Sequence, residues 1–218
     1  MMTSDLNMDI VIKSDNKNGI LNERMYSRND KPYGKSWEEW TSKWWQWLLS
    51  IPKESNPGID VTGEKFDANQ NDPDVVFLVG TFGGSAERNY TIYADKSILF
   101  PIINFTTSYI EEPFLKTESE LKSRAKQDID DIVNKEAVVD GMKLQDVETY
   151  RVQSPVFDLT YPENNVFELS SGSTRAISDG YWVFLKPLSP GMHDIHAVGS
   201  CSSGKTRVDI TWHLNVKE

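Results

Sequence analysis

"YWVFLKPLSPGMHDIHAVGSCSSGKTRVDITWHLNV", residues 181–216, decides the fold class. In 206–216, Val208, Ile210, Trp212, Leu214 and Val216 alternate with Arg207, Asp209, Thr211, His213 and Asn215. Successive side chains of a strand point to opposite faces, so this run has one apolar and one polar face. In 192–198, Ile195 and Ala197 mark the inner face, which also carries His193. "SPG" and "GSCSSGK" supply turns between the runs. The two strands read as an antiparallel hairpin, with Ile195 opposite Ile210, His196 opposite Asp209 and His193 opposite Trp212. A slip of one residue would turn Ile195 and Ala197 outward or bury Asp209 and Thr211.

The same strand-and-turn pattern extends back to residue 147 through "VETYRVQSPVFDLTYP", broken by "PENN" and "SDG". Further upstream, "VVFLVGTF" (75–82) is apolar on both faces, as a central strand is. "YTIYADKSILFPIINF" (90–105) carries Pro101, which predicts a bulge or an edge. Two helices interrupt the strands. Residues 117–135 open on a Thr117/Glu120 capping box and carry a Leu121, Ala125, Ile129, Ile132, Val133 stripe. "SWEEWTSKWWQWLLSIP" (36–52) holds five of the seven tryptophans, opens on a Ser36/Glu39 capping box and stops at Pro52. Trp37, Trp40, Trp44, Trp47, Leu48 and Ile51 share one stripe; Trp45 and Leu49 lie on its flank. There is no strand–helix alternation. The expectation is a mainly β chain: an antiparallel β-sandwich or jelly-roll-like domain over 36–218, with a Trp-rich N-terminal helix and a second amphipathic helix. Residues 1–35 read as a polar N-terminal arm.

Length and charge bound the partners. The chain has 218 residues, 23 basic and 33 acidic, for a formal charge of -10. That charge repels phosphate backbones and anionic lipid, so nucleic acid and membrane are not expected partners. One cysteine, Cys201, excludes an intrachain disulfide. The opening "MMTSDLNMDIVIKSDNKNG" lacks a basic start and an apolar run, which predicts a cytoplasmic protein, or a secreted one had a leader preceded it.

Four blocks together, "YGKSWEEWTSKWWQWLLSIP", "FLVGTFGG", "LFPIIN" and "DGYWVFLKPLSPGMHDIH", resemble an uncharacterised family of bacterial and archaeal proteins. The resemblance spans most of 33–216 and implies no activity and no catalytic residues. It implies, for relatives, a leader peptide and two cysteines near positions 66 and 90. This chain has Phe66 and Tyr90 there, so a secreted, disulfide-bonded state does not carry over.

Candidate chemistry is sparse. The tryptophans serve either a core or an aromatic pocket wall, and Trp40, Trp44 and Trp45 with Glu39 form the candidate ligand-binding set. His196, His213 and Asp209 share the polar face of the last strands and are one candidate set for a divalent metal, although no His-x-His or HExxH spacing is present. Asp67, Asn69 and Asn71 alternate as oxygen ligands in "DANQND" and are a second, for calcium. Asp72 and Leu78 stand there where a calcium loop has Gly and Glu. "GTFGGS" lacks the spacing of a phosphate loop. The Glu111–Glu112 pair is ordinary in an acidic chain, since an active carboxylate needs burial that sequence does not display. Two functions follow. The first is a non-catalytic binding or structural module with a pocket between the Trp helix and the sheet, for a small molecule or carbohydrate-like ligand. The second is a hydrolase or metal-assisted enzyme using His196, His213 and Asp209. A homo-oligomer is compatible with either.

Overall fold

A computed structural model describes residues 21–218. Ten strands and two α-helices follow one another: α1 (Trp37–Ser50), β1 (Val75–Phe77), β2 (Gly84–Tyr93), β3 (Ser97–Ser108), α2 (Glu118–Asp130), β4 (Ile132–Val139), β5 (Met142–Lys143), β6 (Arg151–Gln153), β7 (Phe157–Tyr161), β8 (Gly172–Leu185), β9 (Gly191–Cys201) and β10 (Arg207–Lys217). They make a mainly β fold of two five-stranded sheets. One has the order β1-β3-β8-β6, with β7 on the same flank of β8 as β6; the other has the order β2-β10-β9-β4-β5.

The sheets are mixed, which corrects the antiparallel expectation. β1 runs parallel to β3 and β2 parallel to β10. β2 and β3 are joined by a short turn yet enter different sheets, so neither forms a hairpin with the other. "VVFLVGTF" is correspondingly not a central strand. Only Val75–Phe77 pair, at an edge, and the run is apolar because α1 covers it: the Phe77 ring lies 5.4 Å from Trp47 and 6.2 Å from Trp40. Pro101 does mark a bulge. The β3–β8 register shifts between Pro101 and Ile103, beyond the last β1 partner at Leu99.

β8 is the structural centre, with every residue from Ala176 to Leu185 buried. Both of its faces are covered. On one, Trp182 and Phe184 meet α1, with Trp44–Trp182 centroids 5.3 Å apart and Trp40–Phe184 5.7 Å apart. On the other face of the same sheet, Phe100 meets Trp212 of the second sheet at 5.2 Å. Gly199 of β9 lies so close to β3 that an added Cβ would stand 2.7 Å from Ile103 Cβ.

The Trp stripe is buried as its spacing predicts: Trp37, Trp40, Trp44 and Trp47 are at most 8% exposed. A ring of this size buries on the order of 200 Å², worth about 5 kcal/mol each before conformational entropy is subtracted. The Ser36/Glu39 capping box forms, and so does the Thr117/Glu120 box of α2. α2 ends earlier than expected. Leu121, Ala125 and Ile129 dock, but Ile132 and Val133 belong to β4, and Val133 is exposed. The predicted arm falls partly on residues 1–20, outside the described residues. Residues 21–35 are tied down: Tyr26 N donates to Phe184 O, Lys186 N to Arg24 O, and Leu21 and Met25 are buried. Trp37 and Trp40 donate their indole N–H groups to Ser27 O and Pro32 O. Among the described residues no helix is long and apolar enough to cross a membrane.

Candidate functional site

A cavity of about 200 Å³ lies between α1 and the bulged part of β3. The second half of α1 contributes Trp44, Trp45 and Leu48. On the sheet side the floor is Pro101–Thr106, the stretch of β3 that spans the bulge and remains paired with β8 on either side of it. Val79–Phe82 and Phe167 close the rim, with the Phe82 and Phe167 rings edge to face at 5.0 Å. Thr206, Val208 and Ile210 enter from β10 and the turn before it.

The wall is held by hydrogen bonds to backbone. Trp44 Nε1 donates to Leu78 O at 3.0 Å, and Trp212 Nε1 to Val79 O at 3.2 Å. The fully buried Arg88 donates through Nη1 to Val79 O at 2.5 Å and Gly80 O at 3.0 Å. These donors fix the 78–80 backbone just beyond β1, where Leu78 N still donates to Leu99 O.

Walls are mostly apolar, but three lining residues carry buried polar atoms without a hydrogen-bond partner: Trp45 Nε1, Asn104 Nδ2 and Glu111 Oε2. An unpartnered buried polar atom costs about 1–3 kcal/mol. Arg88 Nε and Nη2, Tyr90 OH, Ser178 Oγ and Trp182 Nε1 are also buried without a partner, but they do not belong to cavity-lining residues; these three do. Asn104 owes its position to Gly180 across the ladder, where any side chain would collide with it. Glu111 sits in the turn after β3, its own N–H donating to Ser108 Oγ at 3.2 Å. Burial pushes its carboxyl up to about 7; the Ser108 and Tyr161 hydroxyls beside it offset part of that shift, and the Glu112 charge adds slightly to it. Glu112 itself turns away to pair with Arg124.

The residues singled out from sequence divide. Trp44 and Trp45 line the cavity; Trp40 and Glu39 do not. Trp40 packs between Tyr33, Phe77 and Phe184, and exposed Glu39 spends its carboxylate on the Ser36 cap. Trp45, on the flank of the stripe, is 4% exposed and edge to face with Trp44 at 5.0 Å.

The C-terminal hairpin forms with a register two residues from that expected. Ile195 pairs with Trp212, His196 with Thr211, His193 with Leu214 and Ile210 with Ala197. A shift of two keeps every side chain on its face, which is why hydrophobic alternation does not discriminate between the two registers. His196 still reaches Asp209, diagonally, with Nε2 2.9 Å from Oδ1. His213 is held elsewhere, between Asp194 at 2.6 Å and Glu87 at 2.7 Å. Those carboxylates raise its pKa and favour the charged imidazole, which has no lone pair for a metal. The proposed His196/His213/Asp209 triad therefore does not converge. Asp67, Asn69 and Asn71 are all exposed, in a loop locked by Gln70 bonded to Phe77 N and O and by Trp47 bonded to Ala68 O. Among the described residues no group of three or more His, Cys, Asp or Glu side chains is placed to hold a metal.

No protein family, curated protein or solved structure matches this chain. The resemblance to the uncharacterised bacterial and archaeal family rests on the sequence blocks alone. Positions 66 and 90, where that resemblance implies cysteines in relatives, are in contact here: the Phe66 and Tyr90 rings stack at 3.9 Å.

Glu111 and Asn104 escaped sequence reasoning for a physical reason. Asn104 is a single amide within the apolar β3 and Glu111 lies in the turn that follows it, and only the tertiary packing brings both to the cavity. Asn104 had one legible trace, a lone amide inside "LFPIINF".

Proposed function

We propose that this chain is a non-catalytic binding module that takes one small, largely apolar molecule into the cavity between the Trp helix and the sheet. The observation that carries the reading is the coincidence of aromatic walls with three partnerless polar atoms, from Trp45, Asn104 and Glu111. Ligand sites combine an apolar lining with a few polar groups in this way. Size limits the ligand. An apolar cavity of about 150 Å³ accommodates benzene, so about 200 Å³ suits one ring with a short polar substituent. A carbohydrate-like ligand fits less well, because three polar atoms cannot satisfy the hydroxyls of a sugar ring.

Titration of the protein with a library of single-ring compounds, followed by tryptophan fluorescence and amide chemical shifts, tests the reading. Hits are expected to perturb residues 44–48 and 101–106 and to lose affinity in Val208→Phe, which fills the cavity. Hits that bind Val208→Phe as tightly as the wild type would place the site elsewhere.

A further inference from the structure

Glu111 is the one titratable side chain lining the cavity, and no protein cation lies within salt-bridge distance of it among the described residues. We infer that the molecule this cavity takes is a small organic cation, a single ring or short alkyl body bearing one protonated amine that meets Glu111 Oε2. The inference rests on the binding-module reading above and narrows it to one ligand class.

Three observations converge. Oε2 is buried and has no donor, although a carboxylate oxygen in that position accepts a charge-assisted hydrogen bond readily. Trp44, Trp45 and Phe105 supply aromatic rings around the same space, and a cation is attracted by the π-system of an aromatic ring. The whole chain carries a formal charge of -10, which raises the local concentration of cations and excludes anions. A neutral hydroxyl donates to Oε2 as well, but leaves the charge of the ionised carboxylate unbalanced. A cation satisfies the ionised carboxylate and uses the rings as well. The N–H donors of Trp45 and Asn104 suit an acceptor oxygen on the same molecule.

The test compares benzylamine, benzyl alcohol, toluene and benzoate, which share a ring and differ in the head group, by calorimetry at pH 7.5 against wild type and Glu111→Gln. Benzylamine is expected to bind the wild type about tenfold or more tighter than benzyl alcohol, the gain of a hydrogen bond to a charged partner. Benzoate is expected to bind weakest. Glu111→Gln should erase the benzylamine advantage while toluene affinity is retained, which shows the cavity to be intact in the variant. Equal binding of benzylamine and benzyl alcohol, or an unchanged ratio in Glu111→Gln, would overturn the cation inference and leave the cavity reading standing. No binding of any probe would overturn both.

Discussion

Gly180 and Asn104 face each other across the β3–β8 ladder with no room for a second side chain: a Cβ on Gly180 would stand 2.4 Å from Asn104 Cβ and 2.8 Å from its Cα. The pair lies just beyond the bulge between Pro101 and Ile103. Gly180→Ala must therefore move backbone, because the colliding atoms are not the far end of a flexible side chain. The expected cost is about 1–3 kcal/mol, in the range for overpacking a filled interior. Urea denaturation measures it, and a variant as stable as wild type would show that β3 yields freely.

Glu111 makes stability depend on pH with a definite sign. Its folded pKa, about 7, lies above its ordinary 4.5, so the folded state holds a proton that the unfolded state has released. The stabilisation is complete below about pH 4.5 and lost as pH rises through about 7. Glu111→Gln removes that dependence. Between pH 5 and 8 the wild type should lose up to about 3 kcal/mol relative to the variant, the equivalent of the whole shift. Parallel stability–pH curves for the two proteins would refute the assignment.

Trp44 joins the core to the cavity wall. It touches Trp45, Trp47 and Trp182 and bonds the Leu78 carbonyl. Trp44→Ala should cost about 3–5 kcal/mol. Trp44→Phe keeps most of the packing but leaves Leu78 O without its donor, and should cost less. Thermal unfolding of both variants checks the order.

The His196–Asp209 pair is a surface interaction of small weight. The hydrogen bond from His196, then Arg207, lowers the Asp209 pKa. Its contribution is present above the ordinary carboxylate pKa of 3.8 and lost as pH falls through the folded value. Exposure limits it to below about 1 kcal/mol. His196→Gln should raise the Asp209 pKa in a carbon-detected NMR titration; an unmoved titration would show that the diagonal contact is not held in solution.

α2 should tolerate no proline at Ala125, which is fully buried against Leu121 and Ile177. Ala125→Pro removes an interior hydrogen bond and clashes with the preceding turn, at about 3 kcal/mol or more. Loss of amide protection confined to 118–130 would be the expected exchange signature, and unchanged protection there would count against docking.

Local rules made much of this chain legible without coordinates. The capping boxes at Ser36/Glu39 and Thr117/Glu120, the Trp stripe, the strand character of β8 to β10 and the bulge at Pro101 all follow from interactions within a few residues. What sequence left open depends on partners distant along the chain. Hydrophobic alternation has a period of two, so it set the faces of His196 and Trp212 but not the register, which settled two residues away. The parallel pairings of β1 with β3 and of β2 with β10 join strands that are not neighbours in sequence, and no local pattern encodes them. The cavity is the extreme case. Glu111 and Glu112 are identical neighbours in sequence, yet one is drawn beside Ser108 and Tyr161 with a raised pKa and the other pairs with Arg124. Burial is a property of everything packed around a group, so only the tertiary structure decided which of the two carboxylates is equipped to meet a ligand.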